Sequence, residues 1–374
     1  MTQRLGPFRF GLVVSTSVWL ACAVVVFGLR GLSSPARIEQ VYSTTVYPVA
    51  RRLLDGLFGW WPLPASACFI VVGLALIARS LTREVRSPVH ASAFAKTGAA
   101  ALSLLRSAAV LGVSFLALWG FNYGRPDIAE DLGLAPRPLT TEQLWDELRA
   151  TADYVAILRR QLPLSDTADY SSLPLPQSNE HRIRESVQRQ LDQLDIPSAG
   201  RVRTRYLPAG TLLRFNTSGV YFPYTGEAHV DVGLHSLQLP FVMAHEMAHG
   251  YGVTDEGACN FVAWLACTRA HNLFLRYAGH LTYLRYVGSA VRRRDGEAYA
   301  AFRQNLPVGV RADLDSIARN LDRFEEILPE VRDAVYDGYL RSQGVHDGLA
   351  SYRRIIDLVA AWRSAQRSPP AAQL

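Results

Sequence analysis

Residues 10–29 read FGLVVSTSVWLACAVVVFGL, a run of twenty residues without a formal charge. At a rise of about 1.5 Å per residue, a helix of this length spans the roughly 30 Å hydrocarbon core of a bilayer. Arg9 precedes the run and Arg30 follows it, and basic residues commonly flank membrane spans. The sequence that follows, GLSSPARIEQ, contains no clear signal-peptide cleavage site. The stretch therefore predicts a retained transmembrane helix rather than a cleaved leader.

Two further apolar runs follow, at residues 63–78 (LPASACFIVVGLALIA) and 107–123 (SAAVLGVSFLALWGFNY). Trp61 lies just before the first run and Trp119 lies near the end of the second, as aromatic residues do at membrane interfaces. The third span can extend back to residue 98 if Arg106 reaches the interface. The sequence thus predicts a membrane domain over residues 1–124, with the lipid bilayer as its partner.

The basic residues are concentrated in the apolar part of the chain. Residues 1–124 contain 11 of the 39 Lys and Arg residues and three of the 33 acidic residues, so their net charge is +8, and that of the remainder is −2. Because this excess flanks apolar runs, it indicates contact with anionic lipid and excludes a nucleic-acid partner. With the N-terminus inside, six basic residues face the cytoplasm and four face outward, which places the C-terminal domain outside the cytoplasm. The segment 38–56 is amphipathic and is predicted to lie on the membrane surface.

From residue 125 the composition is that of a mostly helical domain with a small β-sheet, extending to residue 366. Thr140 and Gln143 have the spacing of a capping box at a helix start. Helices are predicted over residues 180–194, 238–251 and 256–271, and strands over 201–206 and 228–232. The segment NTSGVYFPYTGE between the strands is predicted as a loop, and the tail 367–374 as disordered.

Residues 245–249 read His-Glu-Met-Ala-His, the HExxH pattern. His245 and His249 are four residues apart, so both imidazoles face one side of a helix and can reach one metal ion. Glu246 is placed to act as a general base on a water molecule at that ion. Zn²⁺ is the metal expected for two histidines and a carboxylate. Such a pattern arises by chance in about one chain of this composition in a hundred, so its surroundings matter.

The surroundings of the motif are apolar, from Phe241 to Ala244 and at Met247 and Ala248. Buried histidines and a buried glutamate require polar partners, which a metal ion supplies. The alternative is a pair of surface histidines with Glu246 as an ordinary helix charge.

Two carboxylates are candidates for the third ligand. Asp255 completes an HExxHxxGxxD spacing that resembles a metzincin, with Gly252 permitting a tight turn. Metzincins also have a methionine turn further along, and no methionine follows Met247. Glu256 resembles the third ligand of a gluzincin, with Asn260 one helical turn later to orient a ligand histidine. Glu256 is favoured, and Asp255 is then the N-cap of the second helix.

Three other residues are weaker candidates. The strand AHVDV, residues 228–232, is predicted as an edge strand against which a peptide substrate pairs. His229 within it either lines the cleft or makes a structural hydrogen bond, and Glu227 either orients substrate or closes a turn. Tyr352 is a candidate to stabilise an oxyanion.

Four segments together resemble the bacterial domain-of-unknown-function family 3810: WGFNYGRP (119–126), SGVYFPYTGEAHV (218–230), HEMAHGYGVTDEGACNF (245–261) and VYDGYLRSQGVHDGLASY (335–352). The resemblance implies three N-terminal spans in a bacterial cell membrane, followed by a zincin-like domain. The family pattern G-x-x-x-E-x-E-A-N-F is matched by Glu256 and Asn260, whereas Ala258 replaces its second glutamate. If that glutamate is the family's ligand, Asp255 or Glu256 substitutes for it here.

The sequence as a whole predicts a membrane-anchored, zinc-dependent metallopeptidase. His245, His249 and Glu256 hold Zn²⁺, Glu246 is catalytic, and a peptide or protein is the expected substrate. Two alternatives remain open. In the first, the zinc site is structural and the protein is a non-catalytic envelope interaction module. In the second, the enzyme hydrolyses an amide or ester other than a peptide. Coordination distinguishes them, because a fourth protein ligand closes a structural site.

Overall fold

The computed structural model describes residues 7–86, 92–163, 179–327 and 354–367. These residues are mostly helical and include a small three-stranded sheet, as predicted. The chain forms two compact units. The first comprises residues 1–125 and 222–227, and the second comprises residues 126–221 and 228–374.

Three helices of the first unit are long and apolar enough to cross a membrane: α1 (Pro7–Leu32), α4 (Ala65–Arg86) and α5 (Ala93–Leu118). The prediction of three candidate spans is therefore confirmed, although their bounds differ. α4 continues eight residues beyond the predicted end, because its backbone hydrogen bonds continue past the end of the apolar run. α5 begins where Ser92 accepts a hydrogen bond from Ala95 N, and it ends before a 3₁₀ turn over Gly120–Gly124.

Between α1 and α4 the chain remains helical, through α2 (Pro35–Arg37), a π-helix (Ile38–Val46) and α3 (Tyr47–Phe58). This part has one buried side and one exposed side, as its amphipathic sequence predicts. Tyr47 and Leu54 are buried, whereas Val49 and Leu53 are exposed. An exposed apolar face on such a helix is typical of segments that lie at a lipid surface.

Glu227 is fully buried within the first unit. Its Oε2 accepts hydrogen bonds from Ser66 N at 3.0 Å and from Thr225 Oγ1 at 3.0 Å. Of the two roles considered for Glu227, this geometry fits the closing of a turn, and it also satisfies a backbone N–H in the first turn of α4.

The second unit is built around helix α10 (Glu256–Thr268). Residues Glu256–Cys267 of this helix are all buried. It packs against α8 (Asn179–Gln193), α9 (Leu239–Gly250), α11 (Leu273–Arg294) and α14 (Arg354–Arg367). The predicted capping box at the start of α7 (Thr141–Gln161) is confirmed, since the side chains of Thr140 and Gln143 bond each other's backbone N–H. The helices of this unit are α6 (Ile128–Asp131), α7 (Thr141–Gln161), α8 (Asn179–Gln193), α9 (Leu239–Gly250), α10, α11 (Leu273–Arg294), α12 (Gly296–Gln304), α13 (Val308–Leu321) and α14 (Arg354–Arg367). Helix α14 includes the first residue of the predicted tail, and residues 368–374 lie outside the described residues.

The sheet has the strand order β1-β3-β2, formed by β1 (Arg203–Leu207), β2 (Gly219–Phe222) and β3 (Glu227–Asp231). β2 was predicted as loop, because four residues are too few to show an alternating pattern. The prediction that residues 228–232 form an edge strand is wrong. β3 lies between β1 and its hairpin partner β2, and all of its residues are buried.

Candidate metal centre

Helix α9 carries His245, Glu246 and His249 on a buried segment. The helix has a proline in its first turn, where no N–H is needed, and its apolar residues are packed in the core. His245 is 8% exposed and His249 is 7% exposed, and their ring centroids are 4.8 Å apart. This burial excludes the alternative of two surface histidines.

Glu256, the first residue of α10, brings a carboxylate to both imidazoles. Its Oε2 lies 3.1 Å from His245 Nε2 and 3.5 Å from His249 Nε2. The three possible ligand atoms all lie within 4.8 Å of one another. Around a tetrahedral ion with bonds of 2.0–2.1 Å, ligand atoms are about 3.3 Å apart. The two distances from Glu256 Oε2 are close to this spacing.

The opposite nitrogen of each imidazole is held by an oxygen atom. His245 Nδ1 lies 2.9 Å from Asn260 Oδ1, and His249 Nδ1 lies 2.9 Å from Val253 O. A carbonyl oxygen only accepts hydrogen bonds, so each Nδ1 carries the proton. Both Nε2 atoms then face the Glu256 carboxylate. This is the arrangement by which proteins orient histidine ligands.

A tight turn after α9 places these partners. Gly252 has φ of +89°, which favours glycine, and Val253 N donates to Ala248 O at 3.1 Å. The turn directs Val253 O back to His249 and begins α10 three residues later. Asp255 caps α10, because its Oδ1 accepts from Ala258 N at 2.7 Å, and its Oδ2 lies 3.3 Å from Arg354 Nη1. Of the two candidate carboxylates, the structure thus brings Glu256 to the imidazoles and holds Asp255 as the N-cap.

Burial and neighbouring charge act on the acids of the site in different ways. Burial raises the pKa of Glu246 despite the two nearby imidazoles. Burial also acts to raise the pKa of Glu256, but the charge and hydrogen bonds of His249 and His245 outweigh it and lower that pKa. Glu246 is therefore the carboxylate better suited to accept a proton and release it again.

Three further residues complete the site, and sequence reasoning missed all of them. A Cβ atom on Gly219 of β2 would lie 2.7 Å from both Cγ and Oε1 of Glu246, so a larger residue there would displace the Glu246 side chain. Tyr286 Oη on α11 donates to Asn260 Oδ1 at 3.2 Å. Cys259 Sγ donates to Val253 O at 3.3 Å, and burial raises the pKa of this thiol to about 12. No local sequence pattern predicts these contacts. Two of them join segments that are distant in sequence, and the third depends on the conformation of the turn between α9 and α10.

The remaining candidates lie elsewhere. His229 is 3% exposed in the central strand β3, and it is not part of the cluster of ligand atoms found among the described residues. Tyr352 lies outside the described residues.

Comparisons with known proteins give one match. No curated protein and no solved structure matches the chain. The model of a family described as "Protein of unknown function (DUF3810)" matches residues 42–360, which include all four candidate metal and catalytic residues. This match covers most of the sequence and agrees with the resemblance carried by its motifs. The chain belongs to the DUF3810 family.

Proposed function

We propose that this protein is a membrane-anchored, zinc-dependent hydrolase that acts on peptides. The observation that carries the proposal is the convergence of His245 Nε2, His249 Nε2 and Glu256 Oε2, with both Nδ1 atoms held by oxygen. A buried set of two imidazoles and one carboxylate suits Zn²⁺.

The number of ligands supports catalysis over a structural role. The cluster found among the described residues has three possible protein ligands. Catalytic zinc sites have three protein ligands and one open position, whereas structural sites have four. Zinc held there would polarise a substrate carbonyl and make a nearby water more acidic.

Glu246 is the proposed proton carrier. Its carboxyl group lies next to the first ligand histidine and against the backbone of Gly219. In the proposed reaction it accepts a proton from the attacking water and passes it to the leaving amine. Burial raises the pKa of this carboxyl group, which favours its acceptance of the proton.

The position of β2 supports a peptide substrate. β2 is an edge strand of the described sheet, and Gly219 within it contacts Glu246. An extended peptide that adds to this strand brings its carbonyl groups past the Glu246 carboxylate. The edge proposed for pairing is thus β2 rather than the central strand β3.

The three apolar helices are consistent with a membrane protein. We propose that the N-terminus is cytoplasmic and that the second unit lies outside the cytoplasm, in a bacterial cell membrane. The proposal rests on the distribution of basic residues beside the spans. A reporter enzyme fused to the C-terminus and active only outside the cytoplasm tests this orientation.

Metal content and peptide hydrolysis of the purified full-length protein test the proposed chemistry. We expect about one zinc per chain in wild type and in Asp255→Ala, and loss of zinc in His245→Ala and Glu256→Ala. Glu246→Gln keeps the zinc but loses about 10²- to 10⁴-fold in turnover. If Glu246→Gln hydrolyses peptide at the wild-type rate, the mechanism is wrong. If wild type binds zinc and cleaves no peptide, the site is structural or acts on another bond.

A further inference from the structure

A cavity of about 550 Å³ lies in the second unit, beside the candidate metal centre. Its lining includes Ser218, Val242 and Tyr286. Ser218 precedes the glycine that contacts Glu246, and Val242 lies one helical turn before Glu246 on α9. Tyr286 donates to the amide oxygen that holds His245. A cavity of this size accommodates a small ligand or a few residues of a peptide.

Arg285 of α11 contributes a positive charge to this cavity. The side chain is half-buried, and in the described part of the chain it forms no hydrogen bond or ion pair. Burial lowers the pKa of its guanidinium. Two carboxylates, Asp322 and Glu326, also line the cavity, but both are exposed. A guanidinium fork matches a carboxylate with two parallel hydrogen bonds.

Gln238 also lines the cavity. The residue is 7% exposed, and its Oε1 is a buried atom that does not face the cavity. A peptide residue with an acidic group therefore offers a carboxylate for Arg285 alone.

We propose that this cavity is the substrate subsite for a peptide residue that carries a carboxylate. The carboxylate pairs with the Arg285 guanidinium. The carboxylate belongs either to an aspartate or glutamate side chain or to a free C-terminus. The assignment of the cavity to substrate rests on the proposed function, because the scissile bond would lie at the neighbouring metal centre.

The test measures binding without turnover, in full-length zinc-loaded protein carrying Glu246→Gln. The probes are four N-acetylated tripeptides, Ala-Ala-Glu and Ala-Ala-Gln, each with a free or an amidated C-terminus, and their binding is measured by isothermal titration calorimetry. We expect the preferred carboxylate peptide to bind roughly 10- to 100-fold more tightly than the uncharged Ala-Ala-Gln amide. Comparison of the Ala-Ala-Glu amide with the Ala-Ala-Gln acid identifies which carboxylate is recognised.

Substitutions on one helix provide the matched comparison. Arg285→Gln should reduce the preference to within about threefold, and Arg285→Lys should restore part of it. Arg292→Gln, the same change at an exposed arginine two turns later on α11, should leave the preference intact. Equal binding of all four peptides by the parent protein, or an unchanged preference in Arg285→Gln, overturns the proposal. The first of these outcomes is decisive even if the Arg285→Gln variant does not fold.

The outcomes also separate this proposal from the proposed function. If carboxylate peptides bind through Arg285 but the wild type cleaves none of them, the hydrolase proposal fails and the subsite stands. If the wild type cleaves peptides without a carboxylate preference, the subsite proposal fails and the hydrolase proposal stands.

Discussion

The contact between Asn260 and His245 allows a sharp test of the metal centre. Asn260 is 2% exposed, and its Oδ1 accepts from His245 Nδ1 at 2.9 Å and from Tyr286 Oη at 3.2 Å. Asn260→Ala removes the acceptor and leaves the ring N–H buried without it. The ring is then free to rotate or to adopt the tautomer that protonates Nε2, which is the atom that faces Glu256.

The size of the effect follows from the geometry. Loss of an outer hydrogen-bond partner of a ligand histidine typically weakens metal binding about 10- to 100-fold. This equals roughly 1.4 to 2.7 kcal/mol, within the range of about 1–3 kcal/mol for leaving one buried donor unsatisfied. Tyr286→Phe provides the control, because it removes one donor to Asn260 and leaves the bond to His245. We expect it to weaken binding no more than about fivefold.

Zinc dissociation constants, measured by competition with a chromophoric chelator, test whether Asn260 orients His245 as a metal ligand. The three proteins to compare are wild type, Asn260→Ala and Tyr286→Phe, each shown to be folded by circular dichroism. If Asn260→Ala binds zinc as tightly as the wild type, His245 is not a ligand oriented by Asn260. Equal weakening in Asn260→Ala and Tyr286→Phe would instead point to a general disturbance of α11 packing.

Two further predictions concern a steric contact and a buried histidine. Gly219→Ala places a methyl group 2.7 Å from the Glu246 carboxylate. Because displacement of a catalytic group lowers the rate, we expect turnover to fall about 10- to 100-fold with zinc content unchanged. Val220→Ala, at the neighbouring exposed position, is the control, and full activity in Gly219→Ala would refute the contact. Burial, with Arg363 and Arg276 nearby, lowers the pKa of His280 in the folded protein to about 3. In the unfolded chain this histidine has an ordinary pKa of about 6.5. As the pH drops below 6.5, the unfolded chain therefore binds the proton first, and the free energy of unfolding falls. Between pH 7 and 4.5 this histidine should remove roughly 3 kcal/mol of stability; thermal unfolding of His280→Gln should therefore show a smaller loss over this range than wild type, and equal losses would contradict the prediction.

Local patterns in the sequence predicted much of this architecture. The apolar runs predicted three candidate spans, because the length of a helix that crosses lipid is set by bilayer thickness. The capping box at Thr140 and Gln143 was correct because its partners lie within one helical turn. The same reasoning placed His245 and His249 on one helix face. Errors arose where pairing is non-local: β2 was missed, and β3 was assigned to an edge although two strands flank it.

By itself the sequence determined the features that depend on residues a few positions apart: the apolar helices, the histidine pair, and Gly252 in the turn that follows. Only the tertiary structure decided which carboxylate faces the imidazoles. Asp255 and Glu256 are adjacent in the chain, and one is the N-cap of α10 while the other points at His245 and His249. The packing of α10 against α9 sets this difference, as it sets the approach of Gly219 to Glu246 and of Tyr286 to Asn260. These contacts join separate elements, and their geometry depends on how a buried core is filled rather than on any local pattern.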